Sequence, residues 1–370
     1  MRRVSLSILI CFVVFTISGN FALAGDRFVD FEGFALMANQ RSTTDPCIPD
    51  DMAYITDGKF DMGDHYDVGN SNEKPVHTVY VESFFMSKYE ITNQQYCDFL
   101  NSADVNVVRG VVYASSDSRN DYPYFDTYSA DSDSQITYSE YTFSVRTRDT
   151  NDMNDHPVVE VSWYGAAAYC NWRSQQEGYQ ACYDLSNWKR DFSKNGYRLP
   201  TEGEWEYAAR GDCHEPYYKY PWCSNSIDCN KANCGPDTYC NPLELSDTPY
   251  TSPVGYYSAN NYGLFDMAGN VKEWCNDWYD ADYYDASPYG NPTGPDSSTY
   301  RVLRGGGWLN YDYARGCRVS SRHRENPNNR SNSYGFRVVL DLNLHFFYSL
   351  YPSKPTTLLL LGLGEVILRK

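Results

Sequence analysis

The sequence is short of positive charge. Its 31 lysines and arginines face 48 aspartates and glutamates, a formal charge of −17. Such a chain repels nucleic acid and anionic membranes at long range, and suits divalent cations. Long apolar runs are also missing. The stretch from Val4 to Ile17 is too short for a spanning helix. The run from Leu358 to Leu368 would rise about 17 Å as a helix, against a bilayer core of about 30 Å. Histidine is scarce, with six residues, and His65, His77 and His156 are too far apart in sequence to suggest a shared metal. There is no His-Glu-x-x-His, no phosphate loop, no Gly-x-Ser-x-Gly elbow and no internal repeat.

What is abundant is aromatic. Among 370 residues there are 35 tyrosines and 8 tryptophans. Tyrosine brings apolar area with a polar tip, which suits loops packed on one another or a carbohydrate or peptide groove. The length allows one large domain or two ordinary ones.

Both ends read as signals. Residues 1–24 have a basic start at Arg2 and Arg3, an apolar middle, and Ala22-Leu23-Ala24 before Gly25, the pattern of a secretory signal peptide. At the other end, a proline-rich turn over 351–357 precedes a short apolar run and the basic end Arg369-Lys370. This order resembles the PEP-CTERM sorting signals of Gram-negative bacteria, with transient membrane contact implied. Pro352-Ser353-Lys354-Pro355 stands where Pro-Glu-Pro is usual, and Glu365 interrupts the run. A buried strand is the alternative.

Twelve cysteines fit an exported chain. Cys11 falls in the signal segment, which leaves an odd number. Cys213, Cys223, Cys229, Cys234 and Cys240 lie close together without zinc-ribbon spacing, so a disulfide-stapled loop is expected there, with a metal–thiolate site as the alternative.

Residues 25–50 read as a leader and 341–370 as a tail, with one domain between. Met52 to Gly63 reads as a β-hairpin turning at Asp57-Gly58, and Val76 to Phe85 as one strand. Thr92 with Gln95 and Thr201 with Glu204 form capping boxes, and Ser162 is a third helix cap. The stretch 104–155 is too long for a bare loop and is expected to be a β-rich surface insertion in which Tyr138 to Val145 pairs. Residues 211–260 carry few periodic runs. Gly305-Gly306-Gly307 permits close backbone approach, and Phe336 to Leu340 reads as a last strand.

Seven blocks then occur in order. They are Gly58-Lys-Phe-Asp-Met-Gly63, Lys88-Tyr-Glu-Ile-Thr-Asn93, His156-Pro-Val-Val-Glu-Val-Ser-Trp163, the run from Tyr197 to Arg210, the run from Gly263 to Trp274, Arg304-Gly-Gly-Gly-Trp308, and Tyr334-Gly-Phe-Arg337. Together, over about 51–340, they resemble the formylglycine-generating enzyme (sulfatase-modifying factor) family. The resemblance implies an α+β, C-type-lectin-like fold with little regular secondary structure and bound calcium. It places calcium ligands at Asn270, Val271 and Glu273, and a second set at Asn233, Cys234, Asp247 and Pro249. Calcium takes 6–8 oxygens and accepts mixed carbonyl and carboxylate donors.

Catalytic members of that family hold copper(I) between two cysteines five positions apart, as soft thiolates allow. Here the first position falls on Asn310 and the second near Ala314 or Arg315, so copper is not expected. Trp308, Asn310, Arg315, Cys317 and His323 remain as cleft candidates. With Tyr311, Tyr313, Arg318, Arg322 and Arg324 they form an aromatic and basic run suited to an anionic peptide or glycan, unless the arginines pair with the many carboxylates. His323 is a candidate base near pH 7. The expected function is an exported binding or structural module at the cell exterior. The alternative is an oxidoreductase of the same family acting on thiols with non-standard residues.

Overall fold

The structure, a computed structural model, describes residues 49–235, 240–309 and 313–341. The signal segment, the leader to residue 48, Asn310, Tyr311 and the tail from 342 lie outside the described residues. The fold is α+β, with three α-helices and many short strands among the described residues. Among the described residues, no helix is long and apolar enough to cross a membrane.

The first four strands are β1 (Met52–Ile55), β2 (Gly58–Met62), β3 (His77–Val81) and β4 (Phe84–Ser87). The expected hairpin of Met52 to Gly63 does not form. All four residues of β1 are buried, so it needs sheet partners in the interior, and it pairs with β4 (Met52 opposite Ser87). β2 alternates in burial and pairs with β3 (Phe60 opposite Val79). Asp57-Gly58 therefore passes the chain from one sheet to another. Gly58 is required by packing, because a Cβ there would lie 2.4 Å from the Tyr207 hydroxyl. For the same reason the single strand expected over Val76 to Phe85 is broken at Glu82-Ser83, its halves serving different sheets.

Six further strands complete two central sheets. They are β5 (Tyr197–Arg198), β6 (Lys272–Trp278), β7 (Arg301–Arg304), β8 (His323–Glu325), β9 (Tyr334–Gly335) and β10 (Val339–Asp341). The orders are β1-β4-β10-β5 and β8-β7-β6-β9, with β6 and β9 parallel. The last strand begins at Val339, not Phe336. The Phe336 and Val338 carbonyls instead accept from the Ile91 and Ser87 amides.

The helices are α1 (Asn93–Ser102), α2 (Trp163–Gln176) and α3 (Glu202–Ala209). Each starts at its expected cap. Thr92 and Thr201 close reciprocal capping boxes with Gln95 and Glu204, and the Ser162 hydroxyl accepts from the Gly165 amide at 3.0 Å. The caps satisfy amides that the first turn leaves without partners. α2 runs through the core beside Trp274 and Phe336, and α3 anchors a second cluster with Phe60, Val79 and Met267. Trp163, Trp205, Trp274 and Trp308 are fully buried, and each removes about 150–250 Å² from water.

Between α1 and α2 the chain makes three small sheets. In the first, Val111–Ala114 pairs with both Val105–Val108 and Phe125–Asp126; in the others Ile136–Ser139 pairs with Thr142–Val145, and Thr147–Arg148 with Asn151–Asp152. Asn101 of α1 clasps Phe143 of the second by two hydrogen bonds of 2.9 and 3.0 Å. The described part of 211–260 holds no helix or strand and carries the disulfides Cys213–Cys223 and Cys229–Cys240.

Candidate functional site

The glycine block packs against two other family blocks, at Trp205 and at Met267 to Val271. Gly305 and Gly306 adopt φ of +88° and +72°, the left-handed region that favours glycine. A Cβ on Gly306 would lie 2.7 Å from the Cys317 sulfur and 2.9 Å from the Gly316 carbonyl. The strip is thereby pressed against the 3-10 turn Tyr313–Cys317. Trp308 follows it and is buried. Its amide donates to the Asn270 carbonyl, its indole to the Asn332 carbonyl (both 2.8 Å), and its ring meets Tyr250 edge-on at 5.3 Å. Trp308 thus joins three loops and is not an open cleft wall.

Arg318 and Arg322 of the expected basic surface lie inside the protein. Arg318 makes a two-pronged pair with Glu73 at 2.7 and 2.8 Å, and Arg322 does the same with Glu202. Arg304 reaches Glu206 at 2.5 Å, and Glu206 also holds Arg210 at 2.6 Å and the Gly63 amide at 2.9 Å. Burial alone would raise the Glu206 carboxyl, but Arg210 and Arg304 outweigh it and hold it below its ordinary range. These pairs connect the 64–73 loop, α3 and the 301–322 segment, so the arginines of the run were recruited by carboxylates distant in sequence. Arg315 is exposed but donates to the Val68 carbonyl at 3.1 Å and to Asn70 at 3.0 Å. Arg324 stays exposed, 5.0 and 5.4 Å from the Tyr279 and Tyr300 rings.

His323 does not fit the role of a base near pH 7. Burial and the neighbouring Lys272 push it down to about 4, so it is a weak proton acceptor. It sits with Cys317 and Lys272 beside the Gly316 carbonyl. The structure also brings Cys234 and Cys317 into one buried cluster. Sequence spacing gave no sign of this contact, because the residues lie on different loops. Ala314 and Arg315, which stand near the second copper position, have no thiol.

The first calcium set folds into a buried turn. The Asn270 side-chain carbonyl accepts from the Ser252 amide at 3.0 Å, and its amide donates to Glu90 at 2.6 Å. Glu273 is bound at both oxygens by Arg337 (2.7 Å) and at one by the Trp205 indole (2.7 Å). Two carboxylates missed in the sequence share this place. Glu90 accepts from the Val271 amide at 3.1 Å, and Asp266 accepts from the Gly255 amide at 2.7 Å. Three buried carboxylates thus share Arg337. Burial and the charges of Asp266 and Glu273 push Glu90 well above its ordinary range, and burial pushes Asp266 up to about 6. The signal in the sequence was Asp266 itself, within the same block as Glu273.

In the second set, the Asn233 side-chain amide donates to the Tyr250 carbonyl at 2.7 Å, and its own carbonyl accepts from the Asn270 amide at 2.8 Å. The Cys234 carbonyl lies 2.8 Å from the Cys240 sulfur. Arg148, from the strands between α1 and α2, donates to the Pro249 carbonyl at 3.0 Å and to the Asp247 carbonyl. A guanidinium therefore already neutralises these two carbonyls. Among the described residues, no three His, Cys, Asp or Glu side chains group as a ready metal site.

A sulfatase-modifying factor enzyme 1-like domain is matched over residues 38–342. The chain belongs to this family. It is 32% identical over 308 residues to the formylglycine-generating enzyme of Streptomyces coelicolor, a match covering 78% of this chain and 88% of that one. It is also 35% identical over 291 residues to the serine/threonine-protein kinase pkn1 of Chlamydia caviae. That match covers 78% of this chain but 38% of the kinase, so the domain spans well under half of that relative. Treponema denticola variable protein 1 superposes with a TM-score of 0.57 at 26% identity, over 78% of this chain and 94% of that one. PvdO from Pseudomonas aeruginosa shares the fold, with a TM-score of 0.55 at 24% identity over 79% of this chain and 94% of that one. The short-strand architecture of this sulfatase-modifying factor domain is thus shared with both.

Proposed function

We propose that this sulfatase-modifying factor domain is an exported, calcium-stabilised binding or structural module at the cell exterior. The observation that carries this reading is the missing thiolate pair. Asn310 and Ala314 or Arg315 occupy the places of the two copper-binding cysteines, and none of these side chains supplies a soft sulfur donor.

Calcium is supported by charge. Glu90, Asp266 and Glu273 share the single guanidinium of Arg337, and a buried surplus of carboxylate suits a hard cation. Glu273, Asp266 and the Val271 carbonyl would hold it, and it would neutralise the cluster. Asn270 and Glu273 are both engaged here, Asn270 by Ser252 and Glu273 by Arg337 and Trp205, so each would have to release a partner to bind the ion. The second set suits calcium less well, since Arg148 occupies two of its carbonyls. The lectin-like lineage, the N-terminal signal and the PEP-CTERM-like tail belong to the same reading.

An exported peptide or a glycan is the proposed ligand class. Exposed Arg324 beside the exposed Tyr300 ring offers cationic and aromatic contact in an otherwise acidic molecule. The test is metal analysis of aerobically purified protein, with oxygen uptake measured in the presence of a cysteine-containing peptide. Calcium as the sole bound metal, with no peptide-dependent uptake, is expected. Stoichiometric copper or iron with peptide-dependent turnover would replace this reading with a thiol oxidoreductase.

A further inference from the structure

Six of the ten described cysteines lie outside the two disulfides, and all six are buried. Two of them meet. Cys234 and Cys317 belong to one small cluster with Tyr220, Ala232 and Ala268, and each is 0% exposed. The two thiols are close enough to interact directly, and the Cys317 sulfur packs under Gly306. That contact and then burial push the Cys234 thiol well up. Lys272 lies within electrostatic reach of Cys317. On either side of Cys234 in the same loop, Cys229 and Cys240 are already bridged.

We infer that Cys234 and Cys317 close a third disulfide, which ties the cysteine-rich loop to the turn beneath the glycine strip. The two sulfurs share one small buried cluster and would close to a bond of about 2 Å. The oxidant is a small-molecule disulfide of the glutathione type, met before the core closes. The Cys317 thiolate attacks one sulfur of that molecule and releases one thiolate. The Cys234 thiolate then attacks the Cys317 sulfur of the mixed disulfide and releases the second. The two protein protons end on the two released thiols, and the two electrons reduce the small disulfide.

The consequence is positional. Asn233 already accepts from the Asn270 amide, and Trp308 donates to the Asn270 carbonyl. A bond at Cys234 would fix Gly306, which packs on Cys317, relative to this turn. The segment that carries copper in catalytic relatives would then be held by a cross-link in place of a metal.

The test is peptide mapping of the full chain, purified from an oxidising compartment, alkylated in denaturant and digested with trypsin without reduction. The tripeptide Gly316–Arg318 is expected only as an adduct with the peptide that carries Cys234. Recovery of that tripeptide alkylated, in a sample where Cys213–Cys223 and Cys229–Cys240 are bridged, would overturn the inference. So would a stoichiometric copper or zinc ion that shields both thiols in reduced form. In Cys317→Ala one new alkylation is expected at Cys234, and in Cys234→Ala one at Cys317. Unchanged alkylation in both variants would also count against the cross-link.

Discussion

Two buried charge clusters face each other across the Trp205 indole, and they are balanced differently. On one side, Glu206 is held by Arg210 and Arg304, and Glu202 by Arg322. On the other, Glu90, Asp266 and Glu273 share Arg337. In the first, cations outweigh burial and hold Glu206 below its ordinary range. In the second, burial wins, and Glu90 and Asp266 rise. Burial of carboxylates is common to both. What differs is the number of cations supplied by the chain, and the deficit marks where an ion from outside would be stabilising.

The largest effect is expected from breaking the balanced side. Arg304→Ala leaves Glu206 with Arg210 as its remaining cation and should cost about 3 kcal/mol in urea unfolding, the low end for a broken buried pair, whereas a paired replacement by apolar side chains should cost much less. If both cost the same, the frame acts by packing and not by charge. On the deficient side, calcium at 100 times its Kd should stabilise the protein by about 2.7 kcal/mol. Glu273→Gln should abolish that gain in a calcium-dependent melting series. A calcium response that survives this substitution would place the ion elsewhere.

A third acidic place extends the comparison. Glu160 lies near Asp126, Asp131 and Asp133, with Arg330 2.8 Å from Asp126. Burial, then the three aspartates, push its carboxyl up to about 9. The stability it contributes is complete below about pH 4.5 and is lost as pH rises through 9. Glu160→Gln should therefore stabilise the protein at pH 9 by about 5 kcal/mol relative to pH 5. Equal effects at both values would mean that the carboxyl is not held neutral. The smallest change is at the frame's edge. Thr201→Ala removes the cap of α3 and should cost about 1 kcal/mol, with Thr201→Ser recovering most of it.

Much of the fold was legible. The helix caps at Thr92, Ser162 and Thr201 depend on side chains a few residues apart, so local chemistry was enough. The hairpin of Met52 to Gly63 was misread because alternation identifies strands but not their partners. β1 found β4 only through burial on both faces. The candidate site was less legible. The run from Arg315 to Arg324 read as a surface, yet Arg318 and Arg322 are matched by Glu73 and Glu202, more than a hundred residues away.

The sequence by itself determined the family blocks, the acidic charge, the capped helices, and the lack of cysteine at the places where catalytic relatives hold copper. Those features depend on residue identity or short spacing, and they survive without knowledge of contacts. Only the tertiary structure decided which arginine meets which carboxylate, where carboxylate is left in surplus, that Arg148 reaches the carbonyls of Asp247 and Pro249, and that Cys234 meets Cys317. Electrostatic and thiol chemistry act over a few ångströms, and in a fold of long loops those distances are set by packing between segments far apart in the chain.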